Sequence, residues 1–139
     1  MDNQSNLALS LSFTINAVGV SDNAAYITIR RNKGLPPLRT LSPAGRAWKS
    51  KVIEVTDKAM QDAGLSSEDF ANCLMEIDIH VQMPKNTIWR RDITNCSKLL
   101  LDGAVKAIGL DDRYVTRAVM TKSLGPERTE MTIRFTQRA

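Results

Sequence analysis

Soft metal ligands and thiol chemistry are scarce in this sequence: 139 residues include two cysteines, Cys73 and Cys96, and one histidine, His80. The cysteines lie in predicted helices without CxxC spacing, so neither a disulfide framework nor a structural zinc site is expected, and free thiols in a reducing compartment are. Long apolar runs are absent too. No window of 18 or more apolar residues occurs, which argues against a membrane-spanning helix. The opening Met1-Asp2-Asn3-Gln4-Ser5-Asn6 lacks the basic stretch of a secretory signal. A cytoplasmic protein with no membrane partner is the expectation. Internal repeats and low-complexity tracts are missing as well.

What is there has the balance of one ordinary globular domain, 42% hydrophobic and 24% charged. We expect a single domain over 1–139, with 1–6 and 137–139 as flexible ends. A chain of this size buries roughly two-thirds of its unfolded surface, enough for a core without staples. The net charge of +4 is segregated. Residues 30–58 carry eight basic and two acidic side chains and residues 113–139 carry six and two, whereas 59–89 hold one basic and five acidic groups. A basic surface of this kind favours a polyanionic partner, and nucleic acid before membrane, because no cationic amphipathic helix with bulky apolar residues is visible.

Alternation from Leu7 to Ile15, with apolar residues at 7, 9, 11, 13 and 15, predicts a half-buried strand. A turn over Gly19–Asn23, a short strand over Tyr26–Arg31 and a basic tip over Asn32–Pro37 follow. Ser42-Pro43 predicts a helix start, with a hydroxyl cap and proline at the first helical position. Apolar residues from Ala44 to Ala63 at three- and four-residue spacing continue that helix to Gly64. A short helix through Cys73, a strand over Leu74–Met83 and a helix from near Thr94 to Ile108 come next, Cys96 lying on its apolar stripe. Two closing strands, Tyr114–Lys122 and Glu127–Thr136, read as a hairpin joined by Ser123–Pro126. The fold class predicted is α/β of the α+β kind: a single mixed sheet with two principal helices packed on one face.

Chemistry concentrates in Arg90-Arg91-Asp92-Ile93-Thr94-Asn95-Cys96-Ser97-Lys98, followed by Asp102 and Asp111-Asp112. Asp92 precedes a predicted helix start, where the helix dipole stabilises a carboxylate. If the chain folds back after Gly109, Asp112 can approach Asp92 across the helix, and hard oxygen ligands from two places could hold Mg²⁺. Phosphodiester hydrolysis uses such carboxylates with basic groups to hold the backbone, here Arg90, Arg91 and Lys98. Plainer readings stay open. Asp92 is also a good helix-capping acid, Lys98 and Asp102 an ordinary intrahelical pair worth roughly 0.3 kcal/mol, and Asp111-Asp112 a polar turn.

In order and spacing these residues resemble the signature of the RusA family of Holliday junction resolvases. That signature is a basic stretch, then Asp-x-Asp-Asn, a Lys three residues after the Asn, an Asp four further on, and an Asp-Asp pair after the helix. Ser21-Asp22-Asn23, Leu41-Ser42 through Gly45 and Trp48, and Met83-Pro84 support it, so the likeness covers roughly residues 11–136. It implies a homodimeric, Mg²⁺-dependent endodeoxyribonuclease, with Mn²⁺ as the alternative ion, that resolves four-way junctions and other branched DNA in recombination and repair, often in phages or prophages. By position, Asp92 and Asp112 match metal-binding catalytic acids, with Asp111 beside them. Lys98 matches the catalytic lysine, Arg91 a phosphate-contacting arginine, and Asn95 the motif Asn, a structural residue. Arg90, Arg30, Arg31 and Lys33 would track DNA phosphates.

One departure matters. Thr94 stands where the signature has its second acid, and a neutral hydroxyl binds Mg²⁺ poorly. Either fewer carboxylates suffice, or another acid substitutes (Asp111, Asp102, Glu76 or Asp78), or the chain is a non-catalytic or weakly active binder of branched DNA. Thr94 also suits a helix N-cap. His80 reads as a solvent-face residue rather than a base, and Trp48 as core. For Trp89, beside Arg90 and Arg91, three readings stay open: stacking on a base, a dimer contact, or partial burial against the sheet.

Overall fold

The computed structural model describes residues 9–93 and 97–138. Its frame is a four-stranded mixed sheet made of β1 (Leu9–Ile15), β4 (Cys73–Met83), β5 (Val115–Leu124) and β6 (Arg128–Gln137), ordered β1-β6-β4-β5. Strict alternation in β4 buries Cys73, Met75, Ile77, Ile79, Val81 and Met83 on one face and leaves the residues between them half-buried on the other. β6 does the same with Thr129, Met131, Ile133 and Phe135, and Phe135 stacks on Phe70 at 4.0 Å between ring centroids.

Two helices complete the core. α1 (Pro43–Asp62) starts where Ser42 Oγ accepts a hydrogen bond from Gly45 N at 3.0 Å, and it buries Gly45, Trp48, Val52, Thr56 and Met60 along one stripe. A Cβ on Gly45 would stand 2.3 Å from the Ala25 carbonyl oxygen, so the first turn of α1 lies directly on that backbone. α2 (Lys98–Ile108) packs against α1 and buries Leu99, Leu100, Gly103, Ala104, Val105 and Ile108. It ends at Gly109, whose φ of 87° is the left-handed C-cap that glycine adopts without penalty. The segment Tyr26–Leu41 forms a separate two-stranded antiparallel ribbon, β2 (Tyr26–Ile29) with β3 (Leu38–Leu41). The result is an α+β fold with two helices on a mixed sheet, as expected, plus this second small sheet that was not.

Two local expectations are corrected, and a third falls partly outside the described residues. Cys73 opens β4 instead of closing a helix, the preceding helical piece being a 3₁₀ turn over Ser67–Phe70. The last two strands do not form a hairpin. β5 runs parallel to β4 because α2 carries the chain back along the sheet, and β6 takes the other side of β4, antiparallel to it. The link between them therefore passes over the end of β4, where Gly125 N donates to Met83 O at 3.0 Å. Finally, described helix begins at Lys98; Thr94, Asn95 and Cys96, with the cap and core roles read for them, lie outside the described residues, as do residues 1–8.

Candidate active site

At the end of β4 the chain turns through Pro84–Ile93, and this turn is fastened from several sides. Thr87 N and Ile88 N both donate to Pro84 O at 3.0 Å, Arg90 N donates to Thr87 O at 3.0 Å, and Ile88 is buried. Lys122 on β5 reaches across with Nζ 2.8 Å from Ile88 O and 3.1 Å from Arg91 O. An ammonium group donating to two carbonyls fixes a loop that carries arginines without adding a counter-charge.

The segment after β1 folds over the same place. Arg91 Nη2 donates to Gly19 O, and Asp22 Oδ1 accepts from the backbone N–H of Lys98 at 3.3 Å. α2 has no acidic residue in its own first turn, so Asp22 supplies the negative charge that its N-terminus favours. Burial pushes the Asp22 carboxyl up from its ordinary 3.8, against the pull of the Lys98 N–H and the Lys98 and Arg91 charges, and Asp102 adds to the rise. Lys98 Nζ stands 4.8 Å from the centre of the Tyr26 ring, which the Arg39 guanidinium also approaches at 4.8 Å. The ion pair expected between Lys98 and Asp102 is not formed.

Between the two segments lies an open cleft of about 410 Å³, lined by Ser21, Asn23, Thr87, Arg90, Arg91 and Asp92. The structure thus gathers Arg90, Arg91 and Asp92 on one cleft with Lys98 at its margin. Asp111 and Asp112 lie elsewhere. They follow the far end of α2, about 16 Å along its axis from Lys98. They also precede Val115, which pairs with Met75 at the start of β4, whereas the cleft lies beyond Met83; the two ends are roughly 26 Å apart along the strand. Within one chain Asp112 does not approach Asp92 across the helix, because α2 runs the length of the sheet before the chain turns back. Asp111 is engaged locally: its Oδ1 accepts from Arg113 N at 3.0 Å, which holds its carboxyl below the usual range.

The other acids considered as substitutes divide likewise. Asp102 lies near Asp22, but Glu76 and Asp78 are on the sheet face turned away from the helices, where Asp78 pairs with Arg134 at 2.6 Å. His80, on that face, has both ring nitrogens occupied, by Thr121 Oγ1 at 2.6 Å and Ser123 Oγ at 2.8 Å. Trp48 is core, as expected. Arg30, Arg31 and Lys33 stand exposed at the turn of the β2–β3 ribbon, where Arg31 Nε also donates to Pro36 O at 2.8 Å. Sequence reading missed Lys122, Tyr26 and the capping role of Asp22; Ser21-Asp22-Asn23 was noticed as a motif, but nothing local tied it to a helix 76 positions away.

A sequence model of the family described as endodeoxyribonuclease RusA matches residues 24–134, most of the chain. The chain belongs to the RusA family. No curated protein matches it in a sequence comparison. The RusA match spans both helices, the ribbon and the basic turn, but begins after Gly19 and Asp22, the residues that close the cleft from the other side. RusA endonucleases act on branched DNA and are generally divalent-metal dependent. Among the described residues no three Asp, Glu, His or Cys side chains come together to hold such an ion. Among the described residues Asp92 is the single acid of the expected set on the cleft, and the described residues of one chain do not make the metal site that the resemblance implies. No helix among the described residues is long and apolar enough to cross a membrane.

Proposed function

We propose that this protein is a structure-specific endodeoxyribonuclease that cuts branched DNA, with the four-way junction of recombination and repair as its substrate and a homodimer as its working form. The observation that carries this reading is the convergence of Arg90, Arg91 and Asp92 on one cleft at the N-terminus of α2. Two guanidinium groups attract a DNA phosphate, and Lys98 lies where it can offset charge that builds up as the phosphodiester is attacked. Asp22 and Lys122 hold the helix and the basic turn in register, so the cationic groups need little rearrangement when the backbone arrives. Arg30, Arg31 and Lys33 on the ribbon extend the basic track beyond the cleft. Dependence on Mg²⁺, or Mn²⁺ in its place, belongs to this reading, with Asp92, Asp111 and Asp112 as metal acids. The last two would have to come from a second copy of the chain, which is what ties the metal to the homodimer.

The test is cleavage of a labelled four-way junction, with linear duplex as control, in Mg²⁺ and then in EDTA. Metal-dependent cutting confined to the junction is expected; no cutting of either substrate, or equal cutting of both, overturns the reading. A second reading, a binder of branched DNA with little or no cleavage, is favoured by Thr94 in the place of a motif acid and by the single acid on the cleft. It predicts junction binding with cutting only in a Thr94→Asp variant.

A further inference from the structure

Trp89 is 79% exposed, more than any other large apolar side chain among the described residues, and nothing in the fold explains it. Leaving an indole in water forgoes the gain that burial would bring. The ring is nonetheless held in a set place. Its neighbour Ile88 is buried, the turn around it is closed by the hydrogen bonds to Pro84 O and Thr87 O, and Lys122 Nζ, pinned by two carbonyls, stands 5.3 Å from the ring centroid. A cation on one side leaves the other side of the ring open. Thr87 and Arg90, on either side of Trp89 in sequence, both line the cleft, so the indole is carried on the same turn as Arg90, Arg91 and Asp92.

A rigid aromatic plate next to a phosphate site suits one chemistry well: a nucleobase whose face is uncovered. In a continuous duplex each base is covered by its neighbours above and below, whereas at a branch point the terminal bases of the arms lose a stacking partner. We propose that Trp89 is a specificity-determining residue that stacks on a base left unstacked at a DNA branch point, while Arg90 and Arg91 hold the adjoining backbone. This rests on the reading that the protein binds branched DNA, and it adds how the protein tells a branch from a linear duplex.

The experiment measures binding of a fluorescent four-way junction and of a linear duplex to the full chain and to Trp89→Ala and Trp89→Phe, in EDTA so that no cutting occurs. Thermal melting and sedimentation are followed in parallel, and indole emission is read for the full chain and Trp89→Phe, in which the buried Trp48 is the one remaining emitter. Base stacking on an aromatic is worth about 1–3 kcal/mol per base, so Trp89→Ala should weaken junction binding by roughly 5- to 150-fold. Trp89→Phe should recover most of that loss, duplex binding should stay unchanged, and the junction should quench the full chain's emission but not that of Trp89→Phe. Equal junction affinity for the full chain and Trp89→Ala, or parallel losses for junction and duplex, overturns the proposal while leaving branched-DNA binding intact. A change in oligomeric state in Trp89→Ala overturns it in favour of a contact between copies. If the full chain itself shows no preference for the junction, the functional reading fails and this proposal falls with it.

Discussion

The two ends of α2 are built in opposite ways. At its start, Lys98 N is held by a carboxylate 76 positions away, and the neighbouring Arg91 by a carbonyl 72 positions away, so the cleft exists only once distant parts of the chain have met. At its finish, Gly109 turns the chain in the left-handed region, and Asp111 satisfies the N–H of Arg113 two residues on. The first end is a tertiary construction with oppositely charged groups drawn together, and burial raises the Asp22 carboxyl there. The second is a local, exposed turn whose acids make no contact with the cleft. Position in a motif therefore does not make residues neighbours: Asp92 and Asp112, read from the sequence as parts of one signature, stand at two ends of the molecule.

The largest effects come from asking whether a second copy joins these ends. Asp92→Asn and Asp112→Asn should each abolish junction cutting while leaving junction binding in place, since removing an acid does not weaken phosphate attraction. If each working site combines Asp92 of one chain with Asp112 of another, co-refolding the two inactive variants should restore nicking, because one of the two sites in a mixed dimer is then intact. Gel analysis of a nicked-junction product decides it. Two inactive variants that stay inactive when mixed would return both acids to the same chain, or remove one from the mechanism.

A smaller effect is expected at the tether of the basic turn. Lys122→Met keeps the stem but loses the hydrogen bonds to Ile88 O and Arg91 O. Bonds from a charged donor are worth about 1.5–3 kcal/mol, and partial exposure lowers the share lost here to about 1–2 kcal/mol. Urea unfolding should show that loss, and junction affinity should fall with it as the turn loosens. A matching loss of stability in Arg113→Met, at the other end of α2, would mean that the two ends are not as different as their contacts suggest.

Much of the scaffold was legible because it is locally encoded. Ser42-Pro43 and Gly64 bracket α1 as their cap chemistry requires, and the alternation of Leu74–Met83 gave β4 with its buried face correctly assigned. The hairpin predicted for the last two strands failed for a stated reason: Ser123-Leu124-Gly125-Pro126 has the chemistry of a turn, but whether a turn joins neighbouring strands depends on where α2 has carried β5. The candidate site divides along the same line. Arg90, Arg91 and Asp92 are contiguous and could be found by reading, whereas Asp22 and Lys122 act through backbone groups, and a contact to a backbone N–H or carbonyl leaves no pattern in side-chain types. Asp112 was misplaced relative to Asp92 because helix length, not spacing in a motif, sets how far apart two acids lie.

The smallest effect separates the two ends by the sign of a titration. The folded-state pKa of Asp22 lies above its ordinary value, so its contribution favours the folded protein below pH 3.8 and is lost as pH rises through that higher value. Asp111 is displaced the other way, chiefly by the Arg113 N–H; its contribution is present above pH 3.8 and is lost as pH falls through its lower folded value. Asp22→Asn and Asp111→Asn each remove one of these terms while keeping an acceptor for the backbone N–H. Urea midpoints measured from pH 2.5 to 7 should therefore diverge from the unmodified protein with opposite slopes, Asp22→Asn gaining relative stability as pH rises above 3.8 and Asp111→Asn losing it as pH rises towards 3.8. Parallel slopes would mean that Asp22 is as well solvated as Asp111, and that the cleft end of α2 is open to water in the way its far end is.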